Sequence, residues 1–298
     1  MASLRSALFY QVTRFTLKRL RKKNLSLPEL RIERAEVARR MFKMPDGVSA
    51  RPETALGLPA EWLIPTSADA DGPAILYLHG GAYQTGSIDT HRVLAARIAS
   101  AANLPLLIFE YRLAPEHPFP AGLDDALAAY RFLARNRPVA LSGDSAGGGL
   151  ALALACRLRD LGEKPPLALA LMSPWTDLAM TGATIESKAA VDPYFPNKDI
   201  LSAAASNYAA STPVENPLVS PLYAELKALP PMLVHVGTYE TLLDDSERIV
   251  ARAKAAGVDA TIKVWPGMWH VWQIFGGRMP EADKSISELG AFIKARAI

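Results

Sequence analysis

The stretch Leu141-Ser142-Gly143-Asp144-Ser145-Ala146-Gly147-Gly148-Gly149 constrains this chain more than any other. It is entered from an apolar run, Val139-Ala140-Leu141, that reads as a buried strand. It leaves into Leu150-Ala151-Leu152-Ala153-Leu154, which reads as a buried helix. A strand that becomes a helix within a few residues needs small residues, because the backbone is strained and neighbouring segments crowd the turn. Gly143-x-Ser145-x-Gly147 has the spacing of a nucleophile elbow, with the serine exposed at its apex. The helix that follows points its first amides at the same spot and so favours negative charge there. A Gly-rich strand-to-helix connection or a phosphate loop would share this composition, so the surrounding chain has to decide.

The chain has 298 residues, half of them hydrophobic, enough to bury the core of one large α/β domain with a small appendage. A net charge of +3 is too small to argue for nucleic acid. The single cysteine, Cys156, rules out an internal disulfide and suits a reducing, cytoplasmic setting. It falls in the apolar helix after Ser145, where a small core residue is expected. There is no repeat and no apolar run long enough to span a membrane.

Residues 3–23 read as a basic amphipathic helix: Leu4, Leu8, Val12, Phe15 and Leu20 recur at helical spacing among Arg14, Lys18, Arg19, Arg21, Lys22 and Lys23. Arg14 interrupts the apolar run and no small-residue cleavage site follows, which argues against a signal peptide. Two readings remain, a helix lying on a membrane surface or one packed on its own protein. Pro28 opens a second helix to about Met41, stopped by Pro45-Asp46-Gly47. Short strands follow at 48–51 and 60–64, the pattern of an antiparallel edge on a mixed sheet.

Ala74-Ile75-Leu76-Tyr77-Leu78 is a buried-type strand, and His79-Gly80-Gly81-Ala82-Tyr83 follows directly. Consecutive glycines leave backbone N–H groups unshielded, so such a loop can complete an oxyanion hole with the residue after the nucleophile. Gly80, Gly81 and Ala146 are the expected donors, with His79 fixing the loop. A helix at 91–101, a strand at 106–111, a helix from Gly122 to about Arg135 and the strand at 139–142 alternate as in a parallel, doubly wound sheet. Between them the proline-rich Tyr111-Arg112-Leu113-Ala114-Pro115-Glu116-His117-Pro118 is a rigid connection that an Arg112–Glu116 ion pair could brace.

A serine needs a base, and the base an orienting acid; in this fold the order along the chain is Ser, acid, His. Only His235 and His270 follow Ser145. His235 lies inside the strand-like Met232-Leu233-Val234-His235-Val236-Gly237 and suits the core. His270 lies in a loop beyond a strand at 260–265, where catalytic side chains converge, and is the expected base. Glu240 is the preferred acid, with Asp244 second, since Asp244 and Asp245 fall in the first turn of the next helix.

With these residues assembled, the chain resembles the hormone-sensitive-lipase-like branch of the α/β-hydrolase esterases. The resemblance is carried by His79-Gly80-Gly81-Ala82, Gly143-Asp144-Ser145-Ala146-Gly147-Gly148, Tyr111-Arg112-Leu113-Ala114-Pro115-Glu116, Ser173-Pro174-Trp175-Thr176-Asp177 and the segment from Glu240 to His270. It departs from the family where Glu240-Thr241-Leu242 stands in place of the usual aspartate followed by Pro-Leu. The resemblance implies an α/β-hydrolase fold, a mostly parallel sheet flanked by helices. A helical cap over residues 1–45, with a contribution from about 180–210, would cover a catalytic domain over 46–298. It favours the packed-cap reading of the first helices over membrane contact. It implies hydrolysis of small carboxylic esters through an acyl-enzyme, with no metal or organic cofactor and no nucleic-acid partner. It also implies pairing into a homodimer around 260–298. The substrate pocket would lie near Tyr83, Asp144, Tyr194, Phe195, Trp269, Trp272 and Phe275, with Asp144 also fixing the elbow and Asp192 a plain loop residue. Rival readings keep the triad but act on amides, carbamates, thioesters or long-chain lipids, or bind a ligand without turnover.

Overall fold

A computed structural model describes residues 3–297. Two helices come first, α1 (Leu4–Lys22) and α2 (Leu27–Met41). Ser3 caps α1 by accepting the Ser6 N–H at 3.2 Å. Glu29 reaches back to the Ser26 N–H at 2.8 Å, so α2 starts one residue before Pro28. The antiparallel strands β1 (Val48–Glu53) and β2 (Ala60–Pro65) follow. The alternating part then runs β3 (Ala74–Leu78), α3 (Ile88–Ala102), β4 (Leu106–Phe109), α4 (Ala121–Ala134), β5 (Val139–Asp144), α5 (Ala146–Asp160) and β6 (Leu169–Met172). After the short α6 (Thr184–Ser187) and α7 (Asp199–Ala209) come β7 (Met232–Tyr239), α8 (Leu243–Ala255), β8 (Ala260–Trp269) and α9 (Pro280–Lys294).

The eight strands form one sheet in the order β1-β2-β4-β3-β5-β6-β7-β8. Only the β1–β2 and β2–β4 pairs are antiparallel. The central parallel strands β3, β4, β5 and β6 are buried on both faces, which explains their continuous apolar runs. Along β3 the period of two divides the core: Ala74, Leu76 and Leu78 pack with α4 and α5, while Ile75 and Tyr77 pack with α3 and α9.

Two expected boundaries move. β5 runs through Asp144, so Ser145 is the first residue past the strand. β8 continues through Pro266 to Trp269, and His270 follows its end rather than sitting in a long loop. An edge strand tolerates that proline because one side needs no donor, and β8 pairs only with β7.

Helix α1 is tied to the body on its inner side. Tyr10 donates to the Val191 carbonyl at 2.8 Å, and Arg21 donates to that of Pro193 at 3.1 Å. Phe9 packs on Phe275 with ring centroids 5.0 Å apart. Among the described residues, no helix is long and apolar enough to cross a membrane.

Candidate active site

Ser145 takes φ 53° and ψ −124°, a conformation that costs a non-glycine residue about 1–3 kcal/mol and persists only where its surroundings impose it. Here they do. The Ser145 N–H donates to the Met172 carbonyl at 2.9 Å, and its own carbonyl accepts from Trp175 at 2.9 Å and Gly149 at 3.1 Å. A Cβ on Gly147 would strike the Leu78 carbonyl, and one on Gly143 would strike that of Gly147. Only glycine therefore lets β3, β5 and α5 meet around the serine.

The structure brings His270 and Glu240 to that serine. His270 Nε2 lies 2.9 Å from Ser145 Oγ, and His270 Nδ1 lies 2.9 Å from Glu240 Oε2. The other Glu240 oxygen accepts the Gly237 N–H at 2.6 Å and the Ser173 hydroxyl at 2.9 Å. Glu240 is wholly buried, and burial pushes its pKa up against the pull of His270. Burial acts to lower the His270 pKa, but the hydrogen bond and charge of Glu240 outweigh it and the net shift is upward. Asp244 goes elsewhere: it accepts the Thr184 N–H at 3.0 Å. His235 is buried as expected, 2.8 Å from Ser285 Oγ.

The loop after β3 corrects one expected donor. The Gly80 N–H donates to Asp144 Oδ1 at 3.0 Å and so is not free to meet an oxyanion. The N–H groups of Gly81 and Ala82 have no acceptor among the described residues. That of Ala146, at the first position of α5, has none within the helix. Ala82 therefore replaces Gly80 as the available amide.

Asp144 is a fastening rather than a pocket wall. Besides Gly80 it accepts the Tyr77 hydroxyl at 2.7 Å and lies 3.3 Å from His91 Nε2. Burial would raise its carboxyl, but facing His91, with Tyr77 and Gly80, holds it below its ordinary 3.8. Burial likewise opposes charge on His91, and Asp144 overcomes it, so the His91 pKa rises above 6.5. His79 is pushed down to about 3, by burial and then by His91, and its ring stacks on Tyr111 at 4.3 Å. His79 is therefore a neutral brace of the loop.

Of the expected pocket aromatics, Tyr194 and Phe195 stand edge-on to His270, at 5.5 and 5.1 Å between centroids. The others belong to packing. Tyr83 stacks on Tyr208 at 3.7 Å within the main core. Trp269, at the end of β8, and Trp272 and Phe275, just beyond it, form a separate apolar cluster on which Phe9 and Tyr10 of α1 pack. Asp192 does more than expected: its Oδ1 accepts the Tyr194 and Phe195 N–H groups at 2.8 and 3.1 Å, and its Oδ2 accepts that of Thr241 at 2.8 Å. It ties the aromatic pair to the segment that carries Glu240. The expected Arg112–Glu116 pair does not form, since Arg112 grips Asp125 and Glu116 pairs with Arg31 of α2. Arg31 also donates to the Gln84 carbonyl at 2.7 Å and Arg34 to Thr85 Oγ1 at 2.8 Å, anchoring α2 to the loop beyond Gly81. Nothing local in the sequence marks these α2 arginines.

A strained serine at a strand-to-helix turn, a histidine beyond the last strand and a mostly parallel eight-stranded sheet define the α/β-hydrolase class. A family model described as the alpha/beta hydrolase fold matches residues 75–274. An acetyl-hydrolase of Streptomyces hygroscopicus is 42% identical over 239 residues, covering 79% of each chain. An esterase of Acinetobacter venetianus is 36% identical, over 85% of this chain and 84% of that protein. A solved esterase of the bacterial hormone-sensitive lipase family superposes with a TM-score of 0.93, at 39% identity, over the whole of both chains. The chain belongs to the hormone-sensitive-lipase-like esterases of the α/β-hydrolase fold.

Proposed function

We propose that the chain is a serine carboxylesterase that hydrolyses small esters of short to medium acyl length through Ser145. The observation that carries this reading is the unbroken relay from Ser145 Oγ to His270 Nε2 and from His270 Nδ1 to Glu240, each step 2.9 Å. His270 takes the serine proton as Oγ attacks the ester carbonyl, and Glu240 holds the ring in the tautomer that can accept it. The amides of Gly81, Ala82 and Ala146 receive the negative charge on the carbonyl oxygen. His270 returns the proton to the departing alcohol, leaving an acyl-Ser145. Water, deprotonated by the same histidine, then releases the acid.

Tyr194 and Phe195 flank His270 and form the apolar wall against which a short acyl or alcohol group rests. Residues 1–45 act as a cap on the 46–298 catalytic domain, helped by the 180–210 segment that carries the aromatic pair. The free edge of β8 is the surface through which two copies pair, and the lone free thiol of Cys156 fits a cytoplasmic setting.

The test is hydrolysis of p-nitrophenyl esters from acetyl to palmitoyl by the parent and by Ser145→Ala. Turnover highest on short chains and abolished in the variant is the expected result. Turnover highest on dispersed palmitoyl ester would turn the assignment to a lipase, and no turnover of any ester would refute it.

A further inference from the structure

Seven large hydrophobic side chains are exposed among the described residues, and their distribution is uneven. Leu4, Leu8, Val12 and Phe15 all lie on α1, and Ile32 lies on neighbouring α2. Leu4 is 92% exposed, Phe15 64% and Leu8 61%. At about 100° per residue, the α1 set falls within roughly 80° of the helix circumference, so it makes one stripe. The opposite side of α1 is already occupied: Ser6 and Thr13 are buried, and Phe9 and Tyr10 pack on Phe275, Tyr239 and Trp269. The apolar residues of the helix thus serve two faces, one closing the body and one facing outward.

The outward stripe is flanked by charge of a single sign. α1 contains Arg5, Arg14, Lys18, Arg19, Arg21 and Lys22 and no acidic residue. Arg19, Arg21 and Lys22 fall in the last turn, where they also complement the helix dipole. Arg5, Arg14 and Lys18 lie outside that turn and need another explanation. None of Arg5, Arg14, Lys18, Arg19 and Lys22 forms an ion pair with a carboxylate among the described residues. The acids nearby are otherwise engaged, Glu33 with Lys23 and Glu281 with Ser3.

We propose that the outer face of α1 docks this protein on an anionic phospholipid surface, the Leu4-Leu8-Phe15 stripe entering the headgroup boundary and the flanking cations meeting lipid phosphates and carboxylates. A low-acid helix with a narrow apolar face and a basic border has the physical properties of an interfacial helix. Each cation near such a surface and each buried apolar side chain strengthens binding separately. The inner face of the same helix is tied to the Val191 and Pro193 carbonyls, next to the Tyr194–Phe195 pair that flanks His270, so docking would bring that pair's side of the molecule toward the lipid. Binding is read without turnover, so its failure would leave the ester chemistry standing, and the reverse also holds.

The experiment is co-sedimentation of the full chain with phosphatidylcholine vesicles, with and without phosphatidylserine. It compares the parent, Leu8→Ser with Phe15→Ser, and Arg14→Gln with Lys18→Gln. These side chains are exposed, and circular dichroism checks that each variant keeps its fold. The expected result is binding that requires phosphatidylserine, weakens with salt, and falls by about tenfold or more in both variants. No binding of the parent would overturn the proposal, as would a serine double variant that binds as the parent does. So would sedimentation equilibrium showing a dimer that the serine variant dissociates, because the stripe would then be covered by a second copy.

Discussion

Glu240→Gln isolates the charge and tautomer control of the acid without changing its shape. The site dictates which way the new amide must face. One carboxylate oxygen lies 2.6 Å from the Gly237 N–H, which can only donate, so the amide oxygen must occupy that position. The NH2 group is then forced toward His270 Nδ1, which must become an acceptor. The ring proton moves to Nε2, and the nitrogen facing Ser145 Oγ can no longer take the serine proton. A wrong tautomer in this kind of relay costs roughly a thousand- to ten-thousand-fold in kcat. That corresponds to about 4–5 kcal/mol of lost transition-state stabilisation. The pH profile carries an independent sign. In the parent the His270 pKa is raised above 6.5, so neutral base, and with it kcat/KM, is lost as pH falls through that raised value. With the Glu240 charge gone, only the weaker pull of Asp192 and Asp144 opposes burial, and the acid limb of the residual activity should move down from the parent's. The assay is steady-state hydrolysis of p-nitrophenyl butyrate across pH, with Asp244→Asn as the companion. A Glu240→Gln rate within tenfold of the parent, or an equal loss in Asp244→Asn, would refute the assignment.

Three further outcomes follow from the packing and the charges. Phe275→Ala should lower unfolding free energy by about 3–5 kcal/mol, because Phe9, Phe42 and Trp269 all pack on that ring; urea denaturation measures it, and a loss below about 1 kcal/mol would mean the cluster collapses to fill the space. Cys156, buried with its thiol pushed up to about 12, should resist a disulfide reagent at neutral pH in the native protein and react fully once unfolded. His91→Gln should destabilise in a pH-dependent way. The raised His91 pKa stabilises the fold fully below 6.5 and loses that contribution as pH rises through the folded value. The lowered Asp144 pKa contributes above 3.8 and is lost as pH falls through its folded value. The Tm gap between parent and variant should therefore be widest at mildly acidic pH and narrow on the alkaline side, and a gap constant with pH would contradict the pairing.

What could be read from the sequence was whatever a short stretch determines by itself. The elbow was legible because glycine at 143 and 147 is a local steric requirement, and His270 because only two histidines follow Ser145. Glu240 could be preferred over Asp244 from its place at the strand end, and the distances agree with that order. Gly80 is not legible in this way, for the opposite reason. Its amide looks free until β3 and β5 pair in register and bring Asp144 beside it. The same holds for Arg112, which passes over nearby Glu116 for Asp125 on the next helix. It holds again for Trp272 and Phe275, which pack with Phe9 and Phe42 from the first 45 residues, far away in sequence. Periodicity does not report such long-range partners.

Two buried carboxylates near one serine with opposite shifts show how the site divides its labour. Asp144 is held as an anion by His91, Tyr77 and Gly80, and it fixes the loop that carries the amides of Gly81 and Ala82. Glu240 is raised by burial and shares its hydrogen bond with His270, the group that must gain a proton. Asp192 and Asp144 also favour charge on His270, so the imidazolium that the proposed attack requires is stabilised from several sides. The same negative surroundings oppose charge on the substrate oxygen. In the proposed mechanism that oxyanion needs donors, and the amides of Gly81, Ala82 and Ala146, which have no acceptor among the described residues, are the groups proposed to supply them. On that proposal, holding the Gly80 amide on Asp144 takes one donor out of the reaction while fixing the loop that carries the next two.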